Sequence, residues 1–407
     1  MADVGIVGAG TAGLHLALLL QRRGLEPTLY AERTADEVRA GRLSNTVVHN
    51  HRTRAREREL GANLWDGTAP AIEGHWHYIP LPEGPPLDFP GYFTNPSLAV
   101  DYRLYQSALL EAFEERGGKV EVGAIGASDL GGLAGRHDLL AVSTGRGGLS
   151  DLFPAIEGRS PFRQPARLLS GGLYRGVADA GESHHVVLSL LGPIGEIINI
   201  PMESKDGLVE VLLFECVPGG DLEVVARTPY ADDPKAHDRL VLDRLRTYAP
   251  RVYERIDEAS FGLVDPTSIL QGAVTPTVRE SYAQLDGGTY AIAVGDAHVT
   301  MDPVVGLGAN AASLSAFALG ETIAEGGPFD EAFCKRVDER RLPGVLAHFD
   351  FTNFMLAPQP NLFDVIGAMS QSRAIADDFT EGFTEPPRQW ANLANPEATA
   401  AYLRSFA

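Results

Sequence analysis

Three things are scarce in this chain: cysteine, basic residues and long apolar runs. Its 407 residues include only Cys216 and Cys334, far apart and outside the spacing of metal ligands, so we expect neither a disulfide framework nor a structural zinc site. Acidic residues outnumber basic ones by 54 to 34, which gives a net charge of −20 at pH 7. Because phosphate groups are bound by local excesses of Lys and Arg, nucleic acids and anionic membranes are unfavourable partners.

Every apolar run is shorter than a membrane span, and the first predicted strand begins within three residues of the N-terminus. We therefore expect no membrane helix and no signal peptide, and a cytoplasmic protein. Internal repeats and low-complexity segments are also missing from the sequence. A chain of this length can bury a large core and divide into two or three lobes, which is typical of a globular enzyme.

A glycine-rich turn follows the first predicted strand. Residues 4–7 form a short apolar run, and an apolar helix is predicted over 14–21. Between them lies a G-x-G-x-x-G motif, in which the glycines permit a tight turn, close approach of backbone amides to a pyrophosphate, and packing of the helix on the strand. The phosphates then lie at the positive end of the helix. This order predicts a dinucleotide-binding βαβ unit, whose cofactor-binding residues are Gly8, Gly10, Thr11, Ala12 and Gly13.

A second motif almost three hundred residues later favours FAD over NAD. Gly295-Asp296 ends a short apolar strand, where an aspartate can accept hydrogen bonds from ribityl hydroxyls. Gly306 and Gly308 let the start of the next helix abut a flat ring. The motif resembles the flavin-ribityl motif of the flavoprotein hydroxylases. The cofactor-binding residues predicted here are Gly295, Asp296, Gly306, Gly308, Ala309 and Asn310.

The overall pattern predicts an α/β protein with a hydroxylase-like, Rossmann-type FAD-binding domain, a mixed β-sheet substrate domain and a helical C-terminal region. Strands and one strong amphipathic helix alternate in the first part, short β-rich segments dominate the middle, and helix-forming sequence resumes at Ala311. The proline-rich stretches 80–96 and 384–388 are expected to be surface loops. The predicted boundaries are 1–160 and 286–330 for the two parts of the FAD-binding domain, 161–285 for the substrate domain and 331–407 for the helical region.

Further absences narrow the class of flavoprotein. The chain has no second G-x-G-x-x-G unit and no Cys-x-x-x-x-Cys pair, which argues against Baeyer–Villiger enzymes and disulfide reductases. Hydroxylases that reduce their own flavin carry Asp-Gly at the end of a middle strand, where this chain reads Ser143-Thr144-Gly145. The ribose-binding acid expected after the second strand aligns with Ala31, so Glu32 is the nearest candidate for that role.

Several segments spread over the chain match one known family. They are Gly5–Leu16, residues 45–50, Gly74-His75, residues 100–106, residues 270–272 and residues 370–379. Together they resemble the epoxidase components of the styrene monooxygenases and the related indole monooxygenases. The resemblance implies a two-component enzyme that receives reduced FAD (FADH2) from a separate NADH-dependent flavin reductase. It further implies that the enzyme forms a C4a-hydroperoxyflavin with O2 and transfers one oxygen to a small aromatic alkene, indole or an aryl sulfide; a homodimer is possible.

The resemblance also implies site residues. Electrophilic oxygen transfer needs no protein nucleophile or metal, so the chain must exclude water and hold the alkene. Arg42 and Arg103 are expected to contact the cofactor, with a structural ion pair as the alternative for Arg103. Ile72 stands where an aromatic residue is expected in the styrene type, which leans toward the indole type. The implied catalytic residues are Asn45, Val47, His49, Ile72, His75, Ser97 and Pro303.

His75 and His77 alternate along a predicted strand and so point to one face, a spacing that can suggest a metal pair. No third ligand has a matching spacing, so we expect no metal. The run from His75 to Pro80 resembles the Trp-x-Trp-x-Ile-Pro motif of tryptophan halogenases only superficially. Three alternatives stay open: an indole monooxygenase leading to indigo, a self-reducing aromatic hydroxylase, and a halide-oxidising or non-catalytic flavin protein.

Overall fold

The computed structural model describes residues 2–145, 148–180 and 184–406 of the protein. Its strands, in chain order, are β1 (Val4–Val7), β2 (Thr28–Ala31), β3 (Val48–His49), β4 (Ile72–Ile79), β5 (Leu87–Ala99), β6 (Lys119–Val122), β7 (Leu139–Val142), β8 (Leu168–Arg175), β9 (His184–Leu190), β10 (Gly195–Ser204), β11 (Gly207–Cys216), β12 (Gly262–Leu263), β13 (Ile269–Ala273), β14 (Thr277–Val278), β15 (Tyr282–Gln284), β16 (Tyr290–Ala293) and β17 (Val299–Thr300). Its α-helices are α1 (Thr11–Arg22), α2 (Ala35–Arg39), α3 (His51–Leu60), α4 (Tyr102–Glu115), α5 (Leu130–Ala134), α6 (Glu223–Arg227), α7 (Pro234–Tyr248), α8 (Pro250–Tyr253), α9 (Gly308–Ala324), α10 (Glu331–Leu356), α11 (Pro360–Met369), α12 (Arg373–Glu381), α13 (Pro386–Leu393) and α14 (Pro396–Arg404).

The smaller sheet has six strands in the order β15-β16-β7-β1-β2-β6. Its neighbours pair in parallel except β15 and β16, which form an antiparallel hairpin. Strands β1 and β7 are apolar and buried along their whole length, as expected for parallel strands covered by helices on both faces. Side chains of α1, α4 and α9 form the core on one of these faces. The predicted N-terminal unit of strand, glycine turn and helix is confirmed.

The larger sheet has nine strands, in the order β12-β8-β11-β10-β9-β4-β5-β3 with β13 also paired to β8. Its pairs are antiparallel except β4 with β9. Helices α6, α7 and α8 cover one face, where they pack on Phe214 and Leu263. The predicted β-rich middle region therefore exists. It also recruits β4 and β5, which the predicted boundaries placed inside the first FAD-binding part, because the pairing of β4 with β9 joins residues more than a hundred positions apart.

Two expectations for proline-rich stretches are wrong. Most of the stretch 80–96, predicted as a surface loop, lies in the long strand β5 (Leu87–Ala99), in which Pro90 pairs opposite Trp76. The stretch 384–388 contains the start of α13, with Pro386 and Pro387 in its first turn, where a missing N–H costs no helical hydrogen bond. Proline was interpreted as a breaker in both stretches, although it is tolerated at these positions.

The C-terminal region is helical, as predicted, and packs against the larger sheet. Helices α10 to α14 share an apolar core that contains Phe349, Phe351 and Phe379, and Phe89 of β5 packs against that core. The last helix before this region, α9, begins at Gly308, three residues earlier than predicted. Within the described residues, no helix is both long and apolar enough to cross a membrane.

Candidate functional site

Three adjoining spaces, which share lining residues, lie where the two sheets and the C-terminal helices meet. We call them the cleft, the inner pocket and the outer cavity. The cleft measures about 230 Å3 and lies at the starts of α1 and α9. The inner pocket is about 60 Å3 and lies between the larger sheet and residues 303–307. The outer cavity is about 970 Å3 and lies between the larger sheet and the C-terminal helices.

The cleft presents two helix N-termini whose N-cap residues make no capping side-chain hydrogen bond. Gly10, which precedes α1, and Leu307, which precedes α9, have no side-chain oxygen that could accept from a first-turn N–H. Free backbone N–H groups and the helix dipole at such ends favour negatively charged ligand groups. The cleft is therefore suited to a pyrophosphate and to an electron-rich flavin ring. Its lining includes the predicted cofactor residues Gly10, Thr11, Ala12, Gly295, Asp296, Gly306, Gly308 and Ala309, together with Asn45 and Val47.

The glycines of the first motif differ in what surrounds them. Gly8 has φ +109°, a conformation that L side chains rarely adopt. A Cβ at Gly13 would stand 1.9 Å from the carbonyl oxygen of Gly8, so only glycine lets α1 pack this closely on the turn. A Cβ at Gly10 would meet nothing nearer than the Tyr102 hydroxyl at 3.7 Å. Gly8 and Gly13 thus shape the turn without lining the cleft, whereas Gly10 faces it, and their contact with a cofactor stays a prediction.

Asp296 lies in a single 3-10 turn at residues 295–297, directly after β16. Gly295 has φ +62°, and a Cβ built there would lie 3.2 Å from the Cβ of Ala12. This close approach brings the second motif against the start of α1. Tyr102 completes the corner, because its hydroxyl accepts a hydrogen bond of 3.0 Å from the Thr11 N–H. Tyr102 was not singled out from the sequence, although it lies in the predicted amphipathic helix and is the first residue of α4.

The inner pocket adjoins the cleft across a partition formed by Thr46, Leu213, Pro303 and Gly306, which line both spaces. Among the described residues that line the pocket there is no Asp, Glu, Lys or Arg. Its walls carry apolar side chains from five parts of the chain, and its polar atoms come from hydroxyl, amide and imidazole groups. The lining residues that the sequence analysis did not name as site residues are Thr46, Val48, Asn50, Phe93, Val186, Leu188, Ile198, Ile200, Leu213, Val304, Val305, Leu307, Phe383 and Thr384.

Two predicted catalytic residues, His75 and Ser97, do line this pocket. Both are buried, and among the described residues neither His75 Nδ1 nor Ser97 Oγ has a hydrogen-bond partner. Burial, with the neighbouring His77 and His185, holds the pKa of His75 well below its usual value, so the ring is neutral. A neutral imidazole and a hydroxyl offer this pocket polarity without charge.

A short turn at Pro303–Val305 separates all three spaces. Pro303 lies between the cleft and the inner pocket, while Val304 and Val305 lie between the inner pocket and the outer cavity. The Val304 N–H donates to Asp302 Oδ1 at 3.1 Å, and Gly306 ends the turn with φ +63°. Pro303 is therefore held at the junction by a capped turn. Its predicted catalytic role stays a prediction.

Asp302 is buried in contact with Glu215 of β11, and the two carboxyl groups cannot both be ionised at low cost. Burial and the nearby Asp302 raise the pKa of Glu215 well above its usual value, and burial raises that of Asp302 to about 6. We interpret this pair as sharing one proton, held on Glu215 and donated to Asp302. The neighbouring Arg167 is engaged by Glu196, with two contacts of 2.8 Å.

Asn310 was predicted to bind the cofactor, but its side-chain amide is occupied by hydrogen bonds within the protein. Its Oδ1 accepts from the Asn50 N–H and the Thr53 hydroxyl, and its Nδ2 donates to the carbonyl oxygens of Val48 and Gly306. The amide thus clamps the segment around β3 to the Gly306 turn. Its role is to hold two walls of the inner pocket together.

The predicted contact of Arg103 with the cofactor gains no support from the geometry. Its guanidinium is buried and bonded to Asp101, with Nη2–Oδ2 at 2.7 Å, and to the hydroxyls of Thr267 and Ser268. These contacts fit the alternative of a structural ion pair, and Arg103 is not among the residues that line the cleft. Arg42 and Glu32 are exposed and lie outside the residues that line the cleft, so their predicted roles gain no support from the geometry.

His49 and Ile72 do not line the cleft or the inner pocket. His49 Nδ1 is 2.7 Å from Glu57 Oε1, which also accepts from the Tyr105 hydroxyl at 2.8 Å, in a small internal space behind Val47. Ile72 is fully buried in the apolar core of the larger sheet. Its pairing partner on β5 is Ser97, and opposed residues of an antiparallel pair share one face of the sheet, so Ile72 packs beside the pocket wall. We correct both assignments from pocket-lining to supporting positions.

His75 and His77 do lie on one face of β4, with ring centroids 6.1 Å apart. They line different spaces: His75 faces the inner pocket and His77 the outer cavity. Among the described residues, no group of three His, Cys, Asp or Glu side chains is arranged to hold a metal ion. Phe93 and Phe383 contact His75 edge-on, and Phe89 stacks on His77.

Comparison with known proteins identifies the family. Residues 145–255 match the family described as "Styrene monooxygenase A putative substrate binding domain". The chain is 42% identical to styrene monooxygenase StyA of a Pseudomonas species and 41% identical to StyA of Pseudomonas fluorescens. Both similarities extend over 99% of this chain and 98% of the relative.

Solved structures show the same fold at lower identity. The flavin-dependent brominase Bmp2 is 16% identical with a TM-score of 0.63, and the similarity covers 99% of both chains. The tetrameric form of 2-methyl-3-hydroxypyridine-5-carboxylic acid oxygenase is 16% identical with a TM-score of 0.60, covering 89% of this chain and 94% of that one. The predicted hydroxylase-like α/β fold is thereby confirmed.

Sequence and fold together also bear out the expected enzyme class, a flavoprotein monooxygenase, and the expected cofactor, FAD. The two helix N-termini at the cleft, whose N-cap residues make no capping side-chain hydrogen bond, fit that cofactor. The chain belongs to the styrene monooxygenase family.

Proposed function

We propose that this chain epoxidises styrene-like aryl alkenes with O2 and reduced FAD, which a separate NADH-dependent flavin reductase supplies. The observation that carries the proposal is the uncharged inner pocket, which adjoins the cleft across Thr46, Leu213, Pro303 and Gly306. A carbon–carbon double bond reacts with electrophilic oxygen without losing a proton. The pocket therefore offers an alkene apolar walls. Among the described lining residues it has no carboxylate that could act as a base to activate a phenol.

The cofactor supplies the activated oxygen when it is bound in the cleft. The chain's own contribution is to hold the two reactants next to each other, where Thr46, Leu213, Pro303 and Gly306 border both spaces, and to keep water away from them. The apolar walls from Leu188, Ile198 and Leu213 exclude water. The buried His75 Nδ1 and Ser97 Oγ have no hydrogen-bond partner among the described residues and face this pocket. These two groups are positioned to orient oxygen or a polar substrate atom.

Delivery of the flavin in reduced form is supported by the end of β7. The hydroxyl of Ser143, which stands where self-reducing hydroxylases carry an aspartate, donates to the Gly8 carbonyl oxygen at 2.8 Å and lines the cleft. This side chain therefore completes the dinucleotide turn and offers no carboxylate. The relatives' names support the alkene substrate, since both are styrene monooxygenases.

The test uses the purified full chain with chemically reduced FAD, O2 and styrene. We expect styrene oxide to form, and we expect no appreciable oxidation of NADH by the chain alone, with or without styrene. Addition of a flavin reductase with NADH and FAD should restore turnover. Styrene-dependent NADH oxidation by the isolated chain would contradict the two-component proposal and favour a self-reducing hydroxylase.

Indole is the second candidate substrate, and one observation favours it. Its ring N–H can donate to Ser97 Oγ or His75 Nδ1, which are buried acceptors without a partner among the described residues. Styrene has no such donor. The same assay with indole in place of styrene, read by the formation of indigo, compares the two substrates directly.

A further inference from the structure

The outer cavity is large, apolar and not assigned to any step of the proposed reaction. It occupies about 970 Å3 between the face of the larger sheet and helices α10, α11 and α12. The inner pocket shares its far wall with this cavity: Leu188, Ile198, Val304, Val305 and Phe383 line both. A molecule in the cavity is thus one layer of side chains away from the pocket.

One face of β4 runs from the first space into the second. His75 lies in the inner pocket, and two residues further on His77 and then Ile79 line the outer cavity. The aromatic rings of Phe383 and Phe89 pack on His75 and His77 respectively. This strand face therefore gives a continuous aromatic and apolar wall from the cavity to the pocket.

The charges in the cavity indicate what it can hold. Among the described lining residues only Arg167 and Glu196 carry charge, and they bind each other through two contacts of 2.8 Å. Burial lowers the pKa of His77 to about 4, so this ring is neutral near pH 7. The cavity thus offers no unpaired charge to an ionic ligand and is suited to a neutral, apolar one.

The volumes suggest an order of events. An apolar cavity of about 150 Å3 holds a benzene ring, whereas the inner pocket is about 60 Å3. A ring can enter the pocket only when side chains of its wall move, but the outer cavity has ample room for one without movement. At the rim of the cavity, Leu81 and Phe363 are exposed by 41% and 61%, which marks an apolar mouth toward solvent.

We infer that the outer cavity is a binding site for the neutral aromatic substrate. The substrate is held there before it passes the shared wall of Leu188, Val305 and Phe383 into the inner pocket. This inference rests on the proposed function for the identity of the substrate. It assigns the C-terminal helices a role in substrate capture on the side of the pocket opposite the cleft.

Gly367 of α11 allows a test that leaves the fold intact. It lines the cavity, and a Cβ built there meets no atom within 4 Å, so Gly367→Phe places a ring in empty space. Gly132 of α5 is the matched control, because it is an exposed helical glycine whose Cβ also meets nothing within 4 Å. Both changes remove a helical glycine, so both variants should fold at least as well as the parent.

The first measurement is binding of phenylnaphthylamine, a neutral fluorescent aromatic, to the chain without flavin. We expect the parent and Gly132→Phe to bind it equally, and Gly367→Phe to bind it with a Kd raised roughly tenfold. The sulfonated analogue of the dye should bind the parent more weakly than the neutral one. If Gly367→Phe does not fold, Phe363→Asp at the exposed rim replaces it, with the same direction expected.

The second measurement is epoxidation of styrene under a fixed supply of reduced FAD. Gly367→Phe should raise the KM for styrene severalfold while kcat and the affinity for FAD stay at the parent values. Equal dye binding and equal KM in the two phenylalanine variants would overturn the inference. If the parent makes no styrene oxide, the proposed function fails, but the dye measurement still decides whether the cavity binds aromatics.

Discussion

The cleft and the inner pocket share a partition but are built in opposite ways. The cleft is shaped mainly by backbone: two helix starts without side-chain caps and glycines at Gly10, Gly295 and Gly306. The inner pocket is shaped mainly by side chains that come from the larger sheet, from residues 303–307 and from residues 383–384. A backbone site depends on local conformation, which a short motif encodes. A side-chain site depends on long-range packing, which a short motif does not encode.

This difference predicts that substitutions in the cleft act through geometry and charge with large effects, while those in the inner pocket act through selectivity with small effects. The carboxyl pair beneath the partition, Glu215 and Asp302, lies between the two regions. Four measurements test the contrast.

The largest effect is expected from the packing glycine of the first motif. In Gly13→Ala the new Cβ would stand 1.9 Å from the Gly8 carbonyl oxygen, so α1 must move away from the turn. We expect a loss of about 3 kcal/mol or more in the free energy of unfolding without flavin. Gly10→Ala is the control, since its Cβ has 3.7 Å of clearance, and it should change stability little. Equal urea midpoints for the two variants would show that the turn tolerates a side chain at Gly13.

Asp296 should have the next largest effect, on affinity for FAD. If its carboxylate accepts a hydrogen bond from a ribityl hydroxyl, Asp296→Ala weakens binding by about 1.5–3 kcal/mol. Asp296→Asn keeps one acceptor oxygen without the charge and should fall between the parent and the alanine variant. Anaerobic titration with reduced FAD measures all three. An unchanged Kd in a folded alanine variant would exclude Asp296 from the cofactor site.

The sequence could predict the cleft well because each of its parts is local. The strand, turn and helix at Gly8 to Gly13 follow one another directly, and Asp296 follows its strand in the same way. The inner pocket was predicted only in part. Ile72 was assigned to it, but strand pairing is irregular between Ile72 and Gly74, so its orientation does not follow from that of His75 by simple alternation.

Other misses have the same physical origin. Arg103 lies two residues after Asp101, and the carboxylate of Asp101 forms an ion pair with its guanidinium. The walls from β9, β10 and β11 reach the pocket only because β4 pairs in parallel with β9, a contact between distant residues. No periodicity within one segment reveals such a pairing.

The carboxyl pair predicts a pH-dependent effect on stability. The pKa of Glu215 in the folded chain is raised, chiefly by burial, so the stability it contributes is complete below its ordinary value of 4.5 and is lost as pH rises toward the folded value. Glu215→Gln keeps the shape and an N–H donor toward Asp302 but cannot ionise. Its stability relative to the parent should therefore increase between pH 5 and pH 7, by at most about 1.4 kcal/mol per pH unit.

Urea unfolding of both proteins at pH 5 and pH 7 measures this difference. The exposed Glu26 supplies the control substitution, Glu26→Gln, whose effect should be the same at both values. The other charged groups facing the pair, Arg167 and Glu196, are unchanged in both variants. A difference that does not vary with pH would mean that Glu215 is ionised in the folded chain.

The smallest effect is expected in the inner pocket, at Ser97, and it concerns selectivity. The Ser97 hydroxyl is buried without a hydrogen-bond partner among the described residues, so it can accept from the N–H of indole. Loss of one such bond costs about 1 kcal/mol, or roughly fivefold in kcat/KM. Ser97→Ala should therefore lower kcat/KM for indole by that factor and leave the value for styrene unchanged.

Ser189 of β9 provides a matched control for this last prediction. It is also a buried strand serine whose hydroxyl has no partner in the described part of the chain, but it does not line the inner pocket. Ser189→Ala should leave both substrates unaffected, and neither alanine should destabilise the fold, since each removes an unpaired buried hydroxyl. Equal losses for styrene and indole in Ser97→Ala would mean that Ser97 shapes the pocket and makes no hydrogen bond to the substrate. In that case the polar side chains of the inner pocket, like its apolar ones, would affect the substrate only through packing, in contrast to the backbone groups of the cleft.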